Sequence, residues 1–151
     1  MNAYEYIINK QIEWANNKGL KLIGSQGDRG RQDYTSCIKD NLFQPLNEET
    51  RRNLEDGDGH ELSGTKEEPA KIQALHSSSA LGINIFDYWY GKPDLSTITA
   101  SCGLSDARHD LPGELRFEQK YSIEDHFPIP PNIDVVIKPN RPGRHLSLIH
   151  I

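Results

Sequence analysis

The sequence predicts an α/β domain of the α+β type, with a helical N-terminal half followed by an antiparallel β-hairpin. Three observations carry that prediction. Through the first hundred residues, apolar side chains recur every three or four positions in segments bounded by capping residues or glycine. From Glu114 the apolar period changes to two, over Glu114–Ile123 and again over Ile133–Ile137. A turn containing Pro128, Pro130 and Pro131 separates the two runs, and adjacent strands on a short connection pair antiparallel.

The elements follow in order. Tyr4, Ile7, Ile8, Ile12 and Ala15 share a helical face, Asn2 can cap the start and Gly19 can stop the end, so a helix is expected over Ala3–Lys18. Gly24–Arg31 reads as a surface loop; its glycines have phosphate-loop spacing, but no Gly-Lys-Ser/Thr follows and no long apolar strand precedes. Tyr34–Phe43 is a mixed apolar segment ending before Pro45. Asn47 caps a short helix, Glu48–Glu55, with acids in its first turn. Asp56–Glu68 contains Leu62 as its one large apolar residue and reads as a loop. Its glycines are misplaced for a calcium loop, and Ser63-x-x-Lys66 is a pattern that chance supplies in polar loops.

From Pro69 the helical pattern returns, with Ile72, Leu75 and His76 on one face. Ser77–Ser79 offers N-caps for a helix over Ala80–Tyr90, where Leu81, Ile85 and Trp89 repeat every four residues. Its aromatics Phe86, Tyr88, Trp89 and Tyr90 are assigned to packing rather than to base stacking. Asp94 caps Leu95–Cys102, closed by Gly103. In the first strand, Leu115, Phe117 and Tyr121 alternate with Glu114, Arg116, Glu118 and Lys120, which are expected to face water. Pro139–Arg144 is turn-like, and Leu146–Ile151 has no partner element after it.

Composition narrows the function. The chain has 151 residues, 35% hydrophobic and 26% charged, with a mean hydropathy of −0.69, which fits one soluble domain and excludes a membrane-embedded one. The N-terminus has no basic segment leading into an apolar run, so the expected compartment is the cytoplasm. Cys37 and Cys102 stand far apart without a C-x-x-C pattern, which argues against a disulfide framework or a zinc site. The net charge of −5 is concentrated in residues 41–70. With no basic stripe, non-specific coating of nucleic acid is disfavoured, while an enzyme touching phosphates through a metal and a few groups remains possible.

Four blocks resemble a known group of enzymes. They are Gly57-Asp58-Gly59-His60-Glu61-Leu62, Leu75-His76-Ser77-Ser78-Ser79-Ala80-Leu81, Phe117-Glu118-Gln119-Lys120 and Asn132-Ile133-Asp134. The last, on a strand after a Pro-Pro-Asn turn, resembles the aspartate motif of the PD-(D/E)XK nuclease superfamily, and the set resembles a bacterial restriction-endonuclease-like family. The resemblance implies the first part of a restriction-endonuclease-like core, with Asp134 and Glu61 as Mg²⁺ ligands and DNA as substrate. Carboxylates on neighbouring elements hold the cation against the scissile phosphate, and a lysine stabilises the developing charge.

The chain departs from that pattern in one respect: no Glu-x-Lys follows Asp134. Glu118 and Lys120 carry the right letters before the aspartate, so they would act in a permuted site or belong to the first strand only. RHLSLIHI, the last eight residues, resembles a translated sequencing-adapter read-through. The expectation is therefore a nuclease-like domain over 1–138, truncated before its third core strand, with 139–151 a non-native or disordered tail. The longer protein is expected to continue with a Glu-x-Lys strand, and the 151-residue chain to be inactive. A different class remains open, a non-catalytic interaction domain with a nuclease-like fold, such as a phage-defence component. His76 would point to a serine hydrolase only with an acid and an oxyanion loop beside it, and G-x-S-x-G is absent.

Overall fold

A computed structural model describes residues 2–23, 32–57, 59–65, 68–92, 95–101, 103, 112–121, 132–139 and 146–149. Among the described residues, four α-helices precede the strands: α1 (Ala3–Asn17), α2 (Glu48–Asp56), α3 (Ser78–Phe86) and α4 (Leu95–Ser101). The sheet follows as β1 (Pro112–Lys120), β2 (Asn132–Pro139) and β3 (Leu146–Ile149), in the order β1-β2-β3 with both pairs antiparallel. The α+β class, with a helical N-terminal half and a C-terminal hairpin, is thus the observed one. No helix among the described residues is long and apolar enough to cross a membrane.

Local chemistry sets the helix boundaries. Asn2 caps α1 through a reciprocal box, its Oδ1 accepting from Glu5 N at 2.9 Å while Glu5 Oε2 accepts from Asn2 N at 3.1 Å. Gly19, at φ +69°, ends it in the left-handed conformation. Asn47 Oδ1 accepts from Thr50 N at 2.8 Å at the start of α2, and Ser77 Oγ from Ala80 N at 3.1 Å at the start of α3. The serines therefore begin α3 two residues earlier than the apolar repeat indicates. Asp87 ends it early, opening the tight turn Asp87–Trp89 and accepting from Asn47 and Thr50 at the head of α2.

The core is formed where α2, α3 and α4 pack on one face of the sheet. It joins Leu54, Ile72, Ala80, Ile83 and Phe86 to Leu115, Phe117, Val135 and Ile137. Two expected faces are corrected. Leu81 and Ile85 are exposed, because the face of α3 turned to the sheet is Ser79, Ala80, Ile83 and Phe86. In α1 only Ala15 is buried, and Tyr4 and Ile7 remain 65% and 53% exposed, since nothing described covers that stripe. The segment Leu146–Ile149, expected to lack a partner, pairs with β2 as β3. The loop Gly24–Arg31, together with Asp94, Cys102, Ser122 and Ile123 at expected element ends, lies outside the described residues.

Candidate functional site

The hairpin register brings two acids together. Phe117 pairs with Val135 and Gln119 with Ile133, which places Glu118 and Asp134 on adjoining stretches of β1 and β2 near one end of the ladder. The two carboxylates are close enough for the charge of Asp134 to act on Glu118, and acids so placed repel unless a cation or a proton intervenes. Both are removed from solvent, Glu118 to 5% and Asp134 to 8% exposure. This corrects the expectation that Glu118 faces water. The loop leaving α2 closes over that part of the sheet, so closely that a Cβ on Gly57 would sit 3.2 Å from Glu118 Cβ.

The same loop delivers a third acid. Glu61, within the acidic segment 41–70, is only 9% exposed. A Cβ on Gly59 would lie 3.0 Å from Glu61 Oε1 and 3.5 Å from Glu118 Oε2, so both carboxylates close on the same point of the loop. Glycine at this position leaves room for them. Glu61, Glu118 and Asp134 line one open cavity of about 880 Å³, together with His60, Lys71, His76, Ser78, Ser79 and Asn132. All four sequence blocks contribute to that wall.

Neutral donors hold the acids. Ser79 Oγ donates to Glu118 Oε1 at 2.7 Å, Asn132 Nδ2 donates to Glu118 Oε2, and Ser78 Oγ donates to Asp134 Oδ1 at 3.0 Å. Burial pushes the Glu118 carboxyl above the usual range; the Ser79 hydrogen bond works against that, Glu61 and Asp134 add to it, and Asn132 works against it. Among the described non-glycine residues, the two with positive φ are His60 at +53° and Glu118 at +51°. Both line this cavity, and strained backbone of this kind, costing about 1–2 kcal/mol per residue, persists where the surroundings hold it in place.

Of the four residues singled out as catalytic, three meet here and one does not. Lys120 is exposed and lines a second groove of about 440 Å³ with Arg52, Asn53, Asp56 and Arg116, which adjoins the main cavity through Glu118. The lysine in the main cavity is Lys71, whose Nζ lies 3.7 Å from Glu61 Oε1 and donates to the Gly59 carbonyl. Sequence reasoning passed over it because it lies outside the four blocks. It also read Ser78 and Ser79 only as capping residues. His76 has an acid after all, its Nδ1 lying 3.0 Å from Asp33 Oδ2 with Tyr34 edge-on to the ring.

As they stand, the described residues form no group of three or more His, Cys, Asp or Glu side chains that could hold a metal ion. The donor chemistry still fits Mg²⁺, which takes one or two carboxylates and completes its shell with water and substrate oxygens. Comparison of the chain with protein-family models, curated proteins and solved structures returns no match.

Proposed function

We propose that this cavity hydrolyses phosphodiesters of DNA with a divalent cation, Mg²⁺ or Mn²⁺, held by Glu118 and Asp134. The carrying observation is that two buried carboxylates, on the paired strands β1 and β2, line one cavity. Serine and asparagine donors orient their oxygens, and the open mouth of the cavity admits a backbone phosphate. In the reaction, a water oxygen bonds to phosphorus and the bond to one ester oxygen breaks. The water's proton is lost and the leaving oxygen gains one, both exchanged with solvent, giving a phosphomonoester and an alcohol. The cation, when bound, supplies Lewis acidity and a more acidic water.

The sequence alone leads to an inactive 151-residue chain; Glu118, buried in the same cavity as Asp134, adds a carboxylate to the site, so turnover is tested on the chain itself. Supercoiled plasmid DNA incubated with the chain and Mg²⁺ or Mn²⁺ is expected to be nicked or linearised. D134N and E118Q, with unchanged circular dichroism, are expected to abolish this. Undiminished cleavage by D134N, or a wild-type chain that neither cleaves DNA nor binds Mn²⁺, would overturn the proposal. A cytoplasmic setting belongs to the same reading, since free thiols such as Cys37 persist in reducing compartments.

One observation favours a non-catalytic interaction domain. Tyr4, Tyr6, Ile7 and Trp14 leave α1 with large exposed apolar side chains. An inactive chain with no affinity for Mn²⁺ would turn the reading toward that class.

A further inference from the structure

We infer that Lys71, and not Lys120, is the cation that meets the substrate phosphate in this cavity, and that Glu61 positions Lys71 rather than holding metal. The inference rests on the phosphodiesterase reading above and assigns residues within it.

The first argument is charge. The cavity wall carries Glu61, Glu68, Glu118 and Asp134, and among its described residues Lys71 is the only lysine or arginine. A phosphodiester brings one more negative charge into that field, so a cation bound to the wall has to face it. Lys120 lines a second groove, which shares Glu118 with this cavity, and does not line this wall.

The second argument is geometry. Lys71 opens the tight turn Lys71–Gln73, which is tied to the loop carrying Glu61 at both ends of the contact. Ile72 N donates to Glu61 O at 3.2 Å, and Lys71 Nζ donates to Gly59 O while standing 3.7 Å from Glu61 Oε1. An ammonium has three N–H donors, so two are left after the Gly59 carbonyl, with Glu61 close by as an ion-pair partner. With the Lys71 side chain 64% exposed, the ammonium is within reach of a ligand.

The Glu61 side chain is largely buried, and a cation beside it offsets part of the cost of taking a carboxylate out of water. Lys71 is that cation, which commits Glu61 to the ammonium. Glu118 and Asp134 remain for the cation, a number Mg²⁺ accepts. Glu61 thus holds the lysine at the wall as a fixed positive point facing the incoming phosphate.

The test compares the 151-residue chain with its E61Q, K71M, K71R, K120M and D134N variants. Mn²⁺ affinity is measured by calorimetry, affinity for a fluorescein-labelled DNA duplex in Ca²⁺ by anisotropy, and cleavage in Mg²⁺. D134N is expected to lose Mn²⁺ affinity by about tenfold or more, while E61Q and K71M retain it. K71M and E61Q are expected to weaken duplex binding and cleavage by about tenfold, the worth of one charge-assisted hydrogen bond. K71R should restore most of the loss, and K120M should match the wild type. Wild-type duplex binding and cleavage by K71M, or a loss in K120M instead, would overturn the assignment of the lysine. A fall in Mn²⁺ affinity for E61Q equal to that of D134N would make Glu61 a ligand and overturn its positioning role. If D134N binds Mn²⁺ as the wild type does, the underlying phosphodiesterase reading fails instead. Should E61Q not fold, the contrast of K71M, K71R and K120M decides the lysine by itself.

Discussion

Ser79 Oγ donates a 2.7 Å hydrogen bond to Glu118 Oε1, tying the first turn of α3 to the C-terminal part of β1. The bond joins a buried hydroxyl to a buried carboxyl that two other acids crowd. Its removal exposes what the serine does. In S79A, Glu118 loses a donor that favours its charged form, so its titration should move still higher and the fold should lose about 1–2 kcal/mol. Carboxyl-detected NMR titration and urea unfolding measure the two effects, and an unmoved Glu118 titration would refute the first.

Glu118 also makes stability depend on pH in a defined direction. The folded chain holds the Glu118 proton more tightly than the unfolded chain, whose carboxyl titrates near 4.5. Between that value and the raised one, the folded state binds more protons, so this group lowers stability as pH rises. E118Q removes the penalty while its amide can still accept from Asn132 and donate to Ser79. The variant should therefore be no more stable than wild type near pH 4 and progressively more stable toward pH 7, in thermal melts across that range. A constant difference would show that Glu118 does not titrate differently on folding.

Asp87 offers a stability test remote from the cavity. It is buried and accepts from Asn47 Nδ2 at 2.5 Å, from Thr50 Oγ1 and from Asn47 N at 3.4 Å, at the N-terminal end of α2. D87A leaves those donors without their acceptor and removes an anion from a helix start. The expected cost is about 2–4 kcal/mol, read from urea midpoints, with T50V costing less because it removes a single donor.

Gly82 tests how α3 is seated. A Cβ there would stand 2.8 Å from Val135 Cγ2, at a fully buried valine of β2. G82A gains about 1 kcal/mol of helix propensity but overpacks a close contact, which costs about 1–3 kcal/mol. A net loss of about 1 kcal/mol is expected, lowering the melting temperature by a few degrees in a chain of this size. Because Ser78 and Ser79 ride on the same helix, G82A should also shift the NMR signals of Asp134 and Glu118. G82S should do so more strongly.

The sequence by itself determined the local structure. Asn2, Asn47, Ser77 and Gly19 mark helix ends through hydrogen bonds and backbone freedom that act within a few residues, and the two-residue period around Phe117 and Val135 marks the hairpin. It also flagged Asp134, Glu61 and Glu118 as candidates. Only the tertiary structure decided which of them are buried, and beside what. Glu118 occupies an outward position in the strand's alternation, and it is covered because Gly57 and Gly59, and Ser79 of α3, all far away in the chain, pack against it. Lys71 carries no motif, and it reaches the cavity because its backbone turn is hydrogen-bonded to the loop that carries Gly59 and Glu61. Caps and periods are set by neighbours in the chain, whereas burial and charge pairing depend on contacts between segments tens of residues apart, which no local pattern encodes.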